Sequence, residues 1–309
     1  MIFNDDMLHT KPALCQALTS FTPTEFMLLL LEFDLAWSFY EVETLLEAPA
    51  RDRNPGGGRK ATLVRIEDKL LFILVYFKLY PLQIVQGLWF GMSQGQANHW
   101  IHLLTPILRA ALKQGRYLPA RECTALAEKI EAEGADLGLI DGTERRQQRP
   151  STEPDQTEAY SGKKKCHTQK NVLLSLLPGR KVDFLSPTVP GHRHDKPIAH
   201  ESRLTFPEDF VLGQDTGFQG YAPAGVITIQ PTKTPPGGQL SVEDKARNQL
   251  IARLRIAIEH VIAGVKRCHI VKDLFRNTKQ GFEDAVMEIA CGFHNFRVTH
   301  RAHASPLQL

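Results

Sequence analysis

Three acidic residues stand next to apolar runs, where a carboxylate is unfavourable unless it has a functional role. Asp141 and Asp215 each follow an apolar run typical of a strand, and Glu259 lies one position off the apolar stripe of a long predicted helix. Carboxylate oxygens are ligands that Mg²⁺ and Mn²⁺ select, and two such ions can activate a water and stabilise the leaving oxygen of a phosphodiester. Taken singly, each acid is better explained as a strand-end turn residue or a solvated helix residue, so the metal site is a hypothesis about the set.

The segments that must position these acids predict an α/β domain. Five apolar runs predict strands, the second and third joined as a hairpin at 178–180: 135–143, 171–177, 181–185, 210–215 and 225–229. A helix is predicted over 244–267, with a buried stripe formed by Leu250, Leu254, Ile258, Val261 and Val265. A hairpin-containing mixed sheet followed by a long helix is typical of the α/β class.

The segment upstream is helical. After a helix over 22–46, the sequence predicts helices over 62–80, 82–89 and 94–108, with a Gly91-Met-Ser turn before the last. This layout is typical of a helix-turn-helix, but an ordinary helical bundle explains it equally well. In a helix-turn-helix, Ser93 caps the recognition helix, and its groove-facing polar residues are Gln94, Gln96, Asn98 and His99. The glycine- and arginine-rich run 51–60 predicts a flexible linker, with phosphate contact as the alternative.

Composition bounds the function classes. The 309 residues are 42% hydrophobic and 23% charged, which indicates a globular chain of about two domains. The net charge is +3, yet residues 1–50 hold eight acids and one base, so the basic excess lies further on and suits a polyanionic partner. The five cysteines lack a C-x-x-C pattern, which argues for a reducing compartment and against a disulfide framework. With no basic signal-peptide start and no apolar run near 20 residues, we expect a cytoplasmic protein without a membrane segment.

Five segments, taken in order, resemble the DDE-superfamily transposases of bacterial insertion sequences, in the branch of insertion-sequence family five and its Harbinger-type relatives. They are Asp141-Gly-Thr-Glu, the YSGKKKCHTQK run at 160–170, PGHRHDK at 190–196, DTGFQG at 215–220, and Arg253-x-Arg-x-x-x-Glu259 followed by Lys266. Residues 58–81 also resemble the helix-turn-helix segment that precedes the catalytic domain in this branch. Phe218, Cys166 and Gln214 depart from the family's usual residues, but none of these departures removes a carboxylate.

The resemblance implies an RNase H-like catalytic domain, a mixed sheet with flanking helices, preceded by an all-α helix-turn-helix region. We predict an acidic helical segment over 1–54, the helix-turn-helix region over 55–120 and the catalytic domain over 121–309. Asp141, Asp215 and Glu259 would be the catalytic triad that binds two Mg²⁺ or Mn²⁺ ions. The implied function is cleavage and strand transfer at terminal inverted repeats. Its partners would be double-stranded repeat and target DNA and a second copy in a homodimer or larger synaptic assembly, at the bacterial nucleoid.

Bases surround the predicted triad. Phosphate contact is predicted for Lys163, Lys164, Lys165, Lys170, Arg253, Arg255, Lys266 and Arg267, the alternative being a solvated basic surface. His192, His194 and Asp195 fit either a structural turn or an accessory role at the metal site, so they stay outside the triad. Two other functions remain compatible with the sequence: a transposase-derived protein that binds DNA without cutting it, and an RNase H-like nuclease without strand transfer.

Overall fold

The chain folds into two compact units, which a computed structural model describes over residues 10–47, 61–235 and 237–301. The first unit contains the described residues up to Leu118, the short segment 267–270 and the end of the chain from Thr299. The second contains Pro119–Lys266 and Val271–Val298. The predicted linker at 51–60 and the predicted start of the helix-turn-helix region at 55 lie outside the described residues.

The first unit is helical. Its helices are α1 (Pro12–Thr19), α2 (Pro23–Glu47), α3 (Ile66–Leu79), α4 (Gln83–Phe90) and α5 (Gln94–Gln114). Helix α3 is buried on every side from Asp68 to Phe77, because α1, α2 and α5 all pack against it. The rings of Phe72 and Phe90 meet edge to face at 5.0 Å, which joins α3 to α4. The four predicted helices are therefore present, and the last runs six residues further than its prediction.

The turn between α4 and α5 is set by local chemistry. Helix α4 ends at Gly91, whose φ of 68° is in the left-handed region that favours glycine. A Cβ at Gly87 would lie 2.6 Å from the Met92 carbonyl oxygen, so the chain closes this tightly only over a glycine. Ser93 and Gln96 then form a capping box, in which each side chain accepts from the other residue's backbone N–H.

The second unit is built around one mixed sheet. Its strands are β1 (Leu137–Arg146), β2 (Tyr160–Ser161), β3 (Cys166–Leu176), β4 (Phe184–Leu185), β5 (Val189–Pro190), β6 (Val211–Gly213) and β7 (Ile227–Ile229). The order is β2-β3-β1-β6-β7, with β4 and β5 also paired to β3. Strand β1 is antiparallel to β3 and parallel to β6, which is parallel to β7.

Five helices accompany this sheet: α6 (Cys123–Glu133), α7 (Glu153–Ala159), α8 (Asp195–Glu201), α9 (Val242–Val265) and α10 (Phe282–Arg301). One core cluster joins Leu126 and Ile130 of α6 and Ile198 of α8 to sheet residues such as Ile140 and Leu212. A mixed sheet with flanking helices behind a helical region is the predicted fold class, which is thereby confirmed and is consistent with an RNase H-like domain.

Two local predictions were wrong. Asp141 does not end its strand, because β3 is long enough to pair with β1 as far as Arg146, and Asp141 lies opposite Leu173 in mid-strand. On α9, Leu250 and Leu254 are 60% and 41% exposed instead of buried. The buried residues of α9 are Ile251, Ile258, Val261 and Val265, the last three as predicted. Ile251, Ile258 and Val265 are seven residues apart and share one face, and Leu250 lies about 80° away from that face around the helix.

Within residues 10–47, 61–235 and 237–301, no single helix is long and apolar enough to cross a bilayer. Helix α1 and Pro23–Leu46 are together long and apolar enough, but the two are bent by 54° relative to each other.

The Asp284 carboxylate, in the first turn of α10, binds Thr188 and Arg121, and its loss is expected to destabilise the fold. Its Oδ1 accepts from Thr188 N at 2.7 Å and Thr188 Oγ1 at 2.8 Å, and Arg121 donates to Oδ2 at 2.5 Å. Burial opposes ionisation, but the bonds from Arg121 and Thr188 outweigh it and lower the pKa of Asp284. Asp284→Asn should lower the free energy of unfolding by about 2 kcal/mol at pH 7, as measured by urea denaturation.

The pH dependence of that loss has a definite sign. A carboxyl whose folded-state pKa lies below its unfolded value contributes stability above the unfolded pKa, and this is lost as the pH falls through the folded pKa. The difference between wild type and Asp284→Asn should therefore shrink below about pH 4. The exposed Asp136 serves as a control, because Asp136→Asn should change stability little at either pH. A loss of equal size at pH 7 and pH 3 would contradict the assignment.

Candidate active site

Asp141 and Asp215 lie side by side because of strand register. Strands β1 and β6 run parallel with Leu139 opposite Gly213, and each aspartate lies two residues beyond that pair. Strand β6 ends at Gly213, and Asp215 caps a short 3₁₀ turn by accepting from Gly217 N. Asp141 stays in β1 and accepts from Gly142 N at 2.8 Å. Two carboxylates from neighbouring strands are thus held close by the backbone of the sheet.

Asp195 supplies a third carboxylate at this place. A Cβ at Gly142 would lie 2.6 Å from Asp195 Oδ1, and one at Gly217 would lie 3.2 Å from Asp195 Oδ2 and 3.1 Å from Asp215 Oδ1. Asp195 is the first residue of α8, and Lys170 Nζ lies 3.3 Å from its Oδ1. Asp195 therefore fits between β1 and the turn after β6, and the two glycines leave the room for it.

The two histidines near Asp195 are placed differently. His192 is exposed, and its Nδ1 lies 2.5 Å from the Glu158 carbonyl oxygen. His194 is exposed and is the residue before α8. Both histidines line a cavity that Asp195 also lines. Of the three proposed accessory residues, Asp195 is the one that the structure brings against the aspartate pair.

Arg255 of α9 reaches both aspartates. Its Nη2 lies 3.4 Å from Asp141 Oδ2 and 3.5 Å from Asp215 Oδ2. Burial raises the pKa of Asp141, and the nearby carboxylates of Asp215 and Asp195 raise it further, against the opposing charge of Arg255. The guanidinium of Arg255 therefore faces two carboxylates, and Lys170 pairs with the third, that of Asp195. Three acids against two bases leave one negative charge in excess, which a divalent cation would balance.

Glu259 follows Arg255 by one helical turn and is exposed. Over the described parts of the chain, no three His, Cys, Asp or Glu side chains are grouped so that they could hold a metal ion. The structure thus brings together two of the three predicted ligands and leaves the third on the exposed side of the adjacent helix. The role of Glu259 stays a prediction.

A basic cavity opens beside the carboxylates. It has a volume of about 610 Å³ and is lined by Glu144 and by Lys163, Lys164, Lys170 and Lys266. A second cavity of about 410 Å³ shares Glu144 and Lys164 and adds Arg146, Lys165 and Lys272. Four of the eight bases predicted to contact phosphate line the first cavity, and Lys165 lines the second.

Lys266 lies close to other positive charges. Its Nζ donates to the Glu144 carbonyl oxygen at 3.4 Å. Burial lowers the pKa of Lys266, and the charges of Lys164 and Arg145 lower it further. Cations that repel one another in a partly buried cavity gain from a bound anion, so this surface suits a phosphate backbone.

Sequence reasoning missed two of the cavity bases, Arg146 and Lys272. Arg146 could have been found if β1 had been extended, because strand alternation places 142, 144 and 146 on one face. Lys272 follows α9 in a segment that carried no motif. Of the remaining predicted bases, Arg253 is exposed on α9, and Arg267 lies after α9 in the segment that belongs to the helical unit.

The predicted base-reading residues lie at the start of α5. Gln94 and His99 are exposed. The Gln96 side-chain oxygen accepts from Ser93 N in the capping box, and Asn98 Nδ2 donates to Gln83 Oε1 at 3.2 Å. Two of the four are therefore engaged within the helical unit, and reading of DNA by all four stays a prediction.

Models of known protein families match both units of the chain. The model for the DDE superfamily endonucleases matches residues 140–295, which is half of the chain. The chain belongs to the DDE superfamily endonucleases. The model for the helix-turn-helix of DDE superfamily endonuclease matches residues 62–114, which favours the helix-turn-helix over an ordinary bundle for α3, α4 and α5.

One curated relative of this DDE superfamily endonuclease comes from Microchaete diplosiphon and is named "Probable transposase for insertion sequence element IS702". The two are 27% identical over 263 residues, which cover 85% of this chain and 91% of the relative. No solved structure matches the chain. The predicted superfamily, endonuclease activity and helix-turn-helix are confirmed, whereas the narrower branch, insertion-sequence family five, stays a prediction.

A DDE superfamily endonuclease implies a divalent metal ion, and the carboxylates of Asp141 and Asp215 are the type of ligand that such an ion takes. Asp141 and Asp215 already converge on a cationic group, the Arg255 guanidinium. Asp195 Oδ1 is buried, and its partner among the described residues is the Lys170 ammonium at 3.3 Å, which makes an ion pair without a well-aligned hydrogen bond. Oxygen donors with surplus negative charge are the donor set that Mg²⁺ and Mn²⁺ prefer.

Proposed function

We propose that the protein is a transposase that binds the terminal inverted repeats of an insertion sequence and catalyses metal-dependent cleavage and strand transfer of DNA. The observation that carries the proposal is the Asp141 and Asp215 pair held against Arg255, with the neighbouring Asp195 lining a basic cavity. The helix-turn-helix and the similarity to the IS702 transposase support it.

Asp141, Asp215 and Glu259 are the residues proposed to hold the metal, as two Mg²⁺ or Mn²⁺ ions. A divalent ion in such a site supplies an activated water or hydroxyl and charge for the leaving oxygen. Lys164, Lys170 and Lys266 hold the phosphates of the strand to be cut. Arg255 neutralises the aspartates before DNA and metal bind, and its guanidinium is then available to a phosphate.

The reaction needs no nucleotide cofactor. Hydrolysis at the element end breaks one phosphodiester and leaves a 3′-hydroxyl. In strand transfer that hydroxyl attacks a target phosphate, so one phosphodiester forms as another breaks, and the exchange is nearly balanced in free energy. Two element ends must be handled together, so we propose a homodimer or a larger assembly, acting at the nucleoid of a bacterial cytoplasm.

A plasmid assay tests the function. Supercoiled DNA that carries this gene with its own flanking sequence is incubated with the purified protein and Mn²⁺, and nicks are mapped by primer extension. We expect nicks at the outer ends of inverted repeats and, with a second plasmid present, joined products. Binding without nicking would instead indicate a DNA-binding protein, and cleavage of an RNA–DNA hybrid without joining would indicate an RNase H-like nuclease.

The basic cavity gives a prediction about DNA affinity. The double variant Lys164→Ala/Lys266→Ala should bind a random 25-base-pair duplex about 10- to 50-fold more weakly at low salt, because two phosphate contacts are lost. The slope of log affinity against log salt should fall by up to about 2. Fluorescence anisotropy over a sodium chloride series measures both quantities.

A matched control removes the same charge elsewhere. Lys245 and Lys279 are exposed and lie outside both cavities. Lys245→Ala/Lys279→Ala should therefore change affinity only slightly. Equal losses in the two double variants would mean that net charge, and not the cavity, governs binding.

A further inference from the structure

Helix α2 is apolar on two opposite sides. One side, with Phe26, Leu29 and Phe33, is buried in the helical unit. The opposite side carries a second apolar line, here named the outer stripe, whose members are between 37% and 68% exposed: Leu28, Leu31, Leu35, Phe39, Val42 and Leu45. A helix whose exposed side is this apolar over four turns indicates an interaction surface.

Five of the six residues of the outer stripe have the spacing of a coiled-coil seam, in which Ser38 takes the sixth position and Phe39 lies beside the seam. Leu28, Leu35 and Val42 are seven residues apart, as are Leu31, Ser38 and Leu45, and the two series alternate in steps of three and four. These are the a and d positions of a heptad repeat, which pair with the same positions of an identical helix. A seam of this kind is self-complementary, so its simplest occupant is a second copy of α2.

For a pair of α2 helices, charge favours the parallel orientation over the antiparallel one. Helix α2 contains acidic residues and no base. Asp34 and Glu41 are at g positions of this heptad repeat, and Phe39 and Leu46 are at e positions. In a parallel pair each g position meets an e position of the second copy. Asp34 then faces Phe39 and Glu41 faces Leu46, so no acid faces an acid. An antiparallel pair brings Asp34 against Glu41 of the second copy, and like charges at such positions are destabilising.

The exposed area is also of the right size. Six half-exposed side chains present on the order of 600 Å² of apolar surface, the upper limit for the largest patch on a typical monomer. A standard interface buries about 800 Å² on each partner, so the outer stripe supplies about three-quarters of such a contact and the residues bordering it would supply the rest. An acidic DNA backbone is a poor occupant, because Glu32, Asp34 and Glu41 border the stripe.

We infer that two copies of this chain pair through the outer stripe of α2 in a parallel coiled coil. The inference rests on the homodimer of the proposed function and names the surface that forms it. The buried side of α2 packs on α5, the recognition helix, so the pairing of α2 carries two helix-turn-helix elements into one assembly. Such an assembly binds two repeat sequences at once.

Sedimentation equilibrium of the full chain between 1 and 100 μM tests the pairing. We expect a dimer for wild type and, for Leu31→Glu/Leu35→Glu, a dissociation constant raised at least about 100-fold, because four charges would be buried in the seam. Both side chains are exposed, so the melting temperature of the monomer should change little. Val64→Glu is the matched control, since Val64 is an exposed apolar residue of the same unit outside α2 and its change should leave the dimer intact.

Disulfide cross-linking tests the orientation. With Cys123 and Cys166 replaced by Ser, Leu45→Cys should form a cross-linked dimer on oxidation, because parallel helices place position 45 against itself. Glu43→Cys, outside the seam, should not. A monomeric wild type at 100 μM, a dimer that survives Leu31→Glu/Leu35→Glu, or binding of a monomer to phospholipid vesicles would overturn the inference. Plasmid nicking by wild type is scored separately, so failure of the pairing and failure of the proposed function are distinguishable.

Discussion

Asp141→Asn is expected to lower the rate of plasmid nicking by at least about 1,000-fold while leaving DNA binding in place. The exchange keeps the side-chain size and the oxygen that accepts from Gly142 N, but it removes the charge that the metal requires. Because burial raises the pKa of Asp141, the ionised carboxylate is unfavourable in the metal-free fold. The variant should therefore melt no lower than wild type, which separates loss of catalysis from loss of structure.

Asp136→Asn provides the comparison for Asp141→Asn. Asp136 is exposed and precedes β1, so its amide variant should nick the plasmid at the wild-type rate. Anisotropy with the same duplex should show that Asp141→Asn binds at least as tightly as wild type, since a negative charge near the phosphates is gone. Nicking by Asp141→Asn at more than a tenth of the wild-type rate would remove Asp141 from the catalytic set.

Much of the fold was predictable from local patterns. The helices α3, α4 and α5 follow from apolar residues at helical spacing and from the Gly91-Met-Ser turn, both of which act within about 20 residues. In the second unit, the same kind of local signal predicted the strands β1, β3, β4, β6 and β7 and the helix α9, but it missed the helices α7, α8 and α10. These patterns succeed where a segment's own sequence favours the state that the fold also needs.

The missed features depend on contacts between distant segments. The second half of β1 is Gly-Thr-Glu-Arg-Arg, which has no apolar alternation, and it is a strand because β3 pairs with it. Which residues of α9 are buried depends on which side of the helix the sheet covers. The pattern of apolar residues placed Leu250 and Leu254 on that side, and in the structure they lie outside it. Neither feature has a signal in its own residues.

The site shows the same division. Asp141 and Asp215 could be picked out because each follows an apolar run of residues, and parallel neighbouring strands bring equivalent positions together. Asp195 was only an accessory hypothesis, since its place depends on how α8 sits against Gly142, more than 50 residues earlier in the chain. The ion pairs of Arg255 with both aspartates likewise follow from the packing of α9 on the sheet.

Gly142→Ala is expected to lower nicking by about 100-fold, although it adds one methyl group and changes no charge. The new Cβ would lie 2.6 Å from Asp195 Oδ1 and 2.7 Å from Asp195 Cγ, which is closer than real contacts allow. Strand β1 cannot yield easily, because Gly142 is paired with Val172 of β3. The Asp195 carboxylate must therefore shift, and a displacement near 1 Å in an active site costs about that factor. Overpacking should also cost about 1–3 kcal/mol of stability.

Two comparisons identify the collision as the cause. Gly179→Ala adds the same methyl group in an exposed turn of the same sheet, where the nearest atom is the Leu176 carbonyl oxygen at 3.5 Å, so nicking and stability should be unchanged. Gly142→Ala/Asp195→Ala removes the carboxylate that collides, so it should regain most of the melting temperature lost by Gly142→Ala. Since the two changes act on one contact, their effects on stability should be strongly non-additive. Additive effects would mean that Asp195 does not fill the space above Gly142, and the third carboxylate would then lie away from the aspartate pair.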